Sequence, residues 1–466
     1  MRVIAFIAVS LAFLVVSAPA MGNVKYKWWG KTYELQSDQA IVKLNGIFKE
    51  DDGYIAWGKA YNDSQGYFLL YKISYSGETV WKKAYRMGRA SGLFDVLPAR
   101  NGYYLMGKNG DVVVGYKPWI VRISATGDIL WQRVYGDALD TTSFEIKDSL
   151  AATDGIILVC KYGNEIIIAK MSFEGEIIWQ KKFEWKSTVF TADIEKFEDG
   201  YILMLASRYD FTIIYFRKDF STVWAKEYEF SRSLPQSLPL SLEIVGKSMM
   251  VCYDDKIIKI NSNGEVISTI KFTDMVLQGV CADSNGLILT GDYKNGSQII
   301  SLDGSLKIRW SKYFVSSQNT HICFGDYRGN GICPAHTGYI VCGSYYPVNS
   351  TMFGIILKLD DGGNIAFNEN ASIDVISETP EISEVPTITI NTVEINVGTS
   401  SLSWVYTNTD IRAENLDIKE IIISEPVIAE NVYSFDYFLS YIVIAVTVIV
   451  AVFVIILAVV LAKRKR

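Results

Sequence analysis

The only two histidines of the chain flank a cysteine pair: His321-Ile-Cys323, nine residues, then Cys333-Pro-Ala-His336. Two imidazoles and two thiolates make a tetrahedral donor set for zinc. In an oxidising compartment the same cysteines instead close a disulfide. A Cys323–Cys333 bridge therefore takes precedence over a metal site of His321, Cys323, Cys333 and His336. A rival bridge joins Cys281 to Cys333, since each stands five residues before a glycine of one repeated type, Gly286 and Gly338. Cys160, Cys252 and Cys342 fall in apolar runs and read as buried core thiols.

Acidic pairs offer a second kind of chemistry. Asp51-Asp52-Gly53 and Asp360-Asp361-Gly362-Gly363 carry enough carboxylate to suggest calcium. Neither has the alternating oxygen ligands of a calcium loop, and Asp-Gly is ordinary turn chemistry. No nucleophile elbow, phosphate loop or zinc-protease helix occurs. Acids are too common here for spacing alone to nominate a glycosidase pair. The sequence thus nominates no catalytic residue and no cofactor. Asn62, Asn295, Asn349 and Asn370 each open an Asn-x-Ser/Thr triplet and are glycosylation candidates.

The scaffold that must position these residues is a repeat. Trp-x-Lys-x-Tyr or a near variant begins at Trp29, Trp81, Trp131, Trp179, Trp224, Ser268 and Trp310, with a relic near Phe367. Periods of this size mean stacked units, none of which buries its apolar surface alone. Within each period a Gly turn (Gly53, Gly102, Gly155, Gly200, Gly286, Gly338) opens an apolar run. A second Gly turn, as at Gly77, Gly127 and Gly175, leads into the Trp strand. Four short strands per period predict an all-β, seven-bladed β-propeller over 23–370, with six or eight blades left open by the degenerate copy at 247–272. There are eight Trp-type segments for seven sets of the other three strands. The intact N-terminal copy is therefore expected to complete the last blade and fasten the ring. Trp, Lys and Tyr share one strand face, which predicts aromatic packing on the neighbouring blade. On an outermost strand the Lys would also deter edge-to-edge pairing. A sugar-stacking platform is the competing use of the aromatics.

These motifs resemble secreted β-propeller repeat proteins of archaea and some bacteria. The resemblance spans 28–370 and is carried by Gly127-Asp-Ile-Leu-Trp-Gln-Arg-Val-Tyr135 and Gly175-Glu-Ile-Ile-Trp-Gln-Lys-Lys-Phe183. It implies a fold and brings no catalytic residue, because such proteins are mostly uncharacterised.

The ends of the chain predict a location. Residues 1–20 carry Arg2, an apolar stretch and Ala18-Pro19-Ala20, the marks of a cleaved secretory signal. Phe438–Ala462 has no charge and is long enough to cross a bilayer as one helix. Lys463-Arg464-Lys465-Arg466 then holds the end of the chain, 463–466, in the cytoplasm. With the span at 437–462, the expectation is a single-pass protein of the cell membrane with its N-terminal ectodomain outside. Residues 371–436 lose the repeat grammar and read as an extended stalk, or a small β-module over 387–425 where apolar residues alternate.

The net charge of -6 argues against nucleic acid as a partner. The first functional expectation is a membrane-anchored module that binds an extracellular protein or glycan. The alternatives are an enzyme acting on polysaccharide or peptide at the channel mouth, and a structural envelope component. Converging carboxylates at the channel would favour the enzyme.

Overall fold

The computed structural model describes residues 26–428, interrupted by short stretches of which 230–238 is the longest. The expected signal, membrane span and basic tail, together with Asn295, Asn349 and Asn370, lie outside the described residues. No helix among the described residues is long and apolar enough to cross a membrane. Residues 27–426 form one compact unit.

Runs of Ile, Val, Leu and Tyr between turn glycines favour short strands joined by hairpins. They give seven antiparallel four-stranded sheets. Six are built from residues 41–87, 92–135, 144–184, 191–229, 239–272 and 275–316. The seventh combines residues 321–359 with the N-terminal strand Tyr26–Leu35. The first strands line a common channel, and Ile41–Lys49 meets blade 7 to close the circle. The chain is a seven-bladed β-propeller. Closure follows the sequence expectation: Tyr26–Leu35 pairs antiparallel with Phe353–Leu359, Trp29 opposite Lys358 and Tyr33 opposite Gly354. The relic near Phe367 forms no strand, and Ile365 packs into the core beside blade 7.

The motif strands hold the blades together. Trp29 donates its indole N–H to the Tyr75 carbonyl at 3.0 Å, and Trp81 does the same to Ala125 at 3.0 Å. The Tyr85 hydroxyl reaches Gly127 O at 2.6 Å, Tyr135 reaches Gly175 O at 2.9 Å and Tyr228 reaches Gly264 O at 2.8 Å. Each motif therefore grips the last turn of the next blade, which supports the packing use of the triplet. Where these turns carry glycine, a side chain would meet the motif strand. Gly77 has φ +87°, and a Cβ there would lie 2.7 Å from the Trp29 ring. Blade 5 has Ser268 where the others have Trp. The turn facing it carries Leu306, 3% exposed and at φ 65°, in place of glycine. The matching turn of blade 4 carries Phe220 at φ 59°, packed on Trp179 with ring centroids 5.0 Å apart, so a large side chain stands there beside an indole as well.

The segment expected to be a stalk takes another course. After blade 7 the chain reverses and runs round the outside of the ring. Ile373–Ile376 pairs with the fourth strand of blade 6, Ile382–Glu384 with blade 5 and Thr389–Thr392 with blade 4. Gly398–Thr399, Tyr406–Asn408 and Ala413–Glu414 follow on blades 3, 2 and 1. Ile418–Ile428 ends the circuit against the N-terminal strand on blade 7. This belt corrects both expectations for the described residues between 373 and 428, which form neither an extended spacer nor a separate module. The fourth strands offer unpaired backbone, and an extended chain satisfies it one blade at a time. The motif lysines expected to guard an open edge lie in paired ladders, Lys181 opposite Thr399 and Lys226 opposite Thr392. Side chains pin the belt locally. Lys31 meets Glu420 at 3.2 Å, and the Tyr293 hydroxyl donates to Glu378 at 2.9 Å.

Candidate functional site

The first strand of each blade has a partner on one side only, so its other edge faces the channel. Backbone N–H groups on that edge need acceptors. Carboxylates supply several, three of them across two blades. Asp148 accepts from the Ile194 amide at 2.6 Å, Asp193 from Leu242 at 2.8 Å and Glu243 from Ala282 at 3.0 Å. Asp95 accepts from the Val96 amide at 2.7 Å and from the Ser149 hydroxyl at 3.2 Å.

Strand register places Asp95, Asp148, Asp193 and Ser241 at one level of blades 2 to 5. Glu195 and Glu243 lie one level on, because residues two apart share a strand face. The acids thus occupy one arc of the channel. The opposite arc presents Phe48, Trp57, Cys281 and Cys333, while Leu97 lies on the same strand as Asp95. Between them lies a cavity of about 440 Å³.

The carboxylates perturb one another. Burial raises Asp148 well above the usual carboxylate range, and the charges of Asp193 and Asp95 add to it. Burial pushes Asp193 up to about 7, helped by Asp95. Burial and the charge of Asp193 push Glu195 up to about 8. Glu243 is raised by burial and then by Glu195 and Asp193. The Asp148 side chain beside Asp193 offsets part of the rise at Asp193.

The residues singled out by sequence fare differently. Cys323 lies opposite Ser344 and Cys333 opposite Ile340. Four residues of strand span roughly 13 Å, beyond the reach of a disulfide. The Cys323–Cys333 bridge is therefore corrected, and neither cysteine is in a disulfide. His321 pairs opposite Tyr346, while the ring of His336 packs against Tyr75 at 4.4 Å. The two histidines thus belong to opposite ends of blade 7. No three His, Cys, Asp or Glu side chains among the described residues are arranged to hold a metal. Cys281 and Cys333 do face the same cavity from neighbouring blades, as free thiols. Cys160, Cys252 and Cys342 are fully buried. Asp52 bonds Lys72, and Asp360 Oδ1 accepts the Gly362 and Asn364 amides at 2.9 and 2.8 Å, which is turn chemistry. Asn62 ends the second strand of blade 1, opposite Gln65.

Sequence reasoning missed the channel acids, although a signal existed. Asp95, Asp148 and Asp193 each stand seven residues before a turn glycine, Gly102, Gly155 and Gly200. In blades 1, 6 and 7 that place is held by Gly46, Gly279 and Gly331.

No protein-family model and no curated protein matches the chain. Among solved structures it is similar to the Neurospora crassa Pan2 WD40 domain, at 10% identity and a TM-score of 0.42, covering 70% of this chain and 95% of that one. A putative 6-phosphogluconolactonase from Bacteroides fragilis aligns at 12% identity and a TM-score of 0.39, covering 78% and 100%. Kluyveromyces marxianus Hsv2 aligns at 10% identity and 0.34, covering 59% and 93%. Likeness this distant carries nothing about activity.

Proposed function

We propose that the chain is a membrane-anchored propeller of the cell surface that presents an interaction face to an extracellular protein or glycan. What supports this reading is where the scaffold is already occupied. The belt covers the outer edge of every blade, and carboxylates engage the inner edge. The loops at the two ends of the ring remain as surface free to vary, and loops on a rigid frame carry recognition. Blade 7 is the distinctive one, since its first strand is split into His321–Phe324 and Ile332–Pro334.

Protease shaving of intact cells tests the anchor. With a tag after Arg466, the expected product is a short protected fragment; a fully protected chain overturns the proposal. Crosslinking on intact cells tests the face. Replacing 325–330 by a Gly/Ser loop should abolish capture of a partner. Ile322 and Phe324 must stay, because both are buried in the core of blade 7.

The neighbouring carboxylates Asp148 and Asp193, both raised by burial, favour a second reading, an extracellular enzyme with its site in the channel. Turnover of polysaccharide or peptide that Asp193→Asn abolishes would support it. Equal turnover by the variant would end it.

A further inference from the structure

The channel is divided by chemistry. Blades 2 to 5 supply five carboxylates, while blades 6, 7, 1 and 2 supply an apolar wall that includes Phe48, Trp57 and Leu97. Lys196 acts on Glu195 from outside the lining, and the lining itself offers five acids against two lysines. Of the two lysines in the lining, Lys147 is already bonded to Glu145 at 3.0 Å, and Lys49 stands exposed. A second, independent observation marks the acidic arc. Ser241 is 4% exposed and lines the cavity, yet its hydroxyl has no hydrogen-bond partner among the described residues. Leaving a buried hydroxyl unpaired costs about 1–3 kcal/mol, so such a group marks a place where a polar atom belongs.

We propose that this cavity binds a small organic ammonium ion, with its N–H groups on Glu195, Asp193 and the Ser241 hydroxyl and its apolar arm along Phe48, Trp57 and Leu97. An ammonium group brings only donors, and this arc offers acceptors. A bare metal ion suits the site less well, since no three of these side chains are arranged as ligands. A volume of about 440 Å³ is that of a small-molecule pocket, and its apolar lining with a few convergent polar groups is the usual construction of one. A neutral alcohol of the same shape would keep the apolar contacts and lose the charge. Binding also displaces protons, because Asp193 and Glu195 hold theirs to about pH 7 and 8 and must ionise to pair with the cation. The other charged groups facing them are Asp95, Asp148, Glu243 and Lys196.

The test is titration calorimetry of the full-length chain with phenethylamine and hexylamine. Their alcohols, 2-phenylethanol and 1-hexanol, serve as isosteres, and calcium chloride is titrated separately. The amines should bind and the alcohols should not. Affinity should rise between pH 6 and 8 by up to tenfold per unit for each proton displaced. Glu195→Gln and Ser241→Ala should each weaken amine binding at least tenfold, while Glu174→Gln, on an exposed turn, should change nothing. Equal binding of alcohol and amine overturns the proposal, as does calcium binding lost in the same variants. Failure of both amines to bind overturns it too. Should Glu195→Gln fail to fold, Ser241→Ala decides alone, since it only removes an unpaired hydroxyl.

Discussion

The rim and the channel of this propeller solve one problem in opposite ways. Both are sheet edges with unpaired backbone. At the rim the chain returns and adds a strand to every blade, so backbone pairs with backbone. In the channel no strand fits, and side-chain carboxylates accept amides from the neighbouring blade. The rim solution is neutral and repeats blade after blade. The channel solution is charged, differs among blades and leaves a cavity. A regular edge gives stability, and an irregular one gives a place for a ligand.

Removing the belt should break the rim most severely. A chain ending at 370 is compared with one ending at 428. The shorter chain should lose about 5 kcal/mol or more, from seven short ladders worth roughly 0.5–1.5 kcal/mol per net backbone bond. It should also aggregate through its bared fourth strands. Equal denaturant midpoints would show that the belt is ornament.

The channel should betray itself in pH dependence. Asp193 and Glu195 titrate near 7 and 8 in the folded chain and near 4 when unfolded. Between pH 4 and 8 the folded state therefore holds protons that the unfolded state has released. The contribution of these two groups to stability is fullest below about pH 4, falls as pH rises through this window and levels off above about 8. Asp193→Asn keeps an acceptor for the Leu242 amide and removes one titration. It should gain on the order of 2 kcal/mol at pH 8 and flatten the slope from pH 5 to 8. Parallel pH profiles for the two proteins would contradict the assignment.

A smaller effect sharpens the rim side. Leu306→Gly should cost about 2 kcal/mol by opening a cavity opposite Ser268. Ser268→Trp should be destabilising alone, through overpacking against Leu306. Together they rebuild the arrangement seen at Trp29 and Gly77, so the double variant should recover at least about 1 kcal/mol. Simple additivity would mean that the two sites do not sense each other. The smallest change expected is in Tyr85→Phe, which removes one hydroxyl bond to Gly127 for about 1 kcal/mol, with no pH dependence below 9.

Much of the ring was legible because its determinants are local. A turn glycine, an apolar run and Trp-x-Lys-x-Tyr lie within one period, and the surplus N-terminal copy told how the ring closes. The belt was half visible. Alternation over 387–397 marked extended chain, but its strands are only two to four residues long before the last. Their partners lie up to some 330 positions away, as with Ala413 opposite Tyr85. The cysteine pairing failed for a related reason. Cys323 and Cys333 are near in sequence, yet each takes its height from a different part of the strand beside it.

The sequence alone determined that seven similar units exist, what each contains and which segment completes the last. Those properties follow from turn conformations and side-chain periodicity, which act over a few residues. Tertiary structure decided what the units do to one another. It set five carboxylates from four blades around one cavity, raised the pKa values of four of them by burial and mutual charge, and wound the belt strands between 373 and 428 around the rim. Burial and charge depend on distance in space, and closing the ring is what creates those distances.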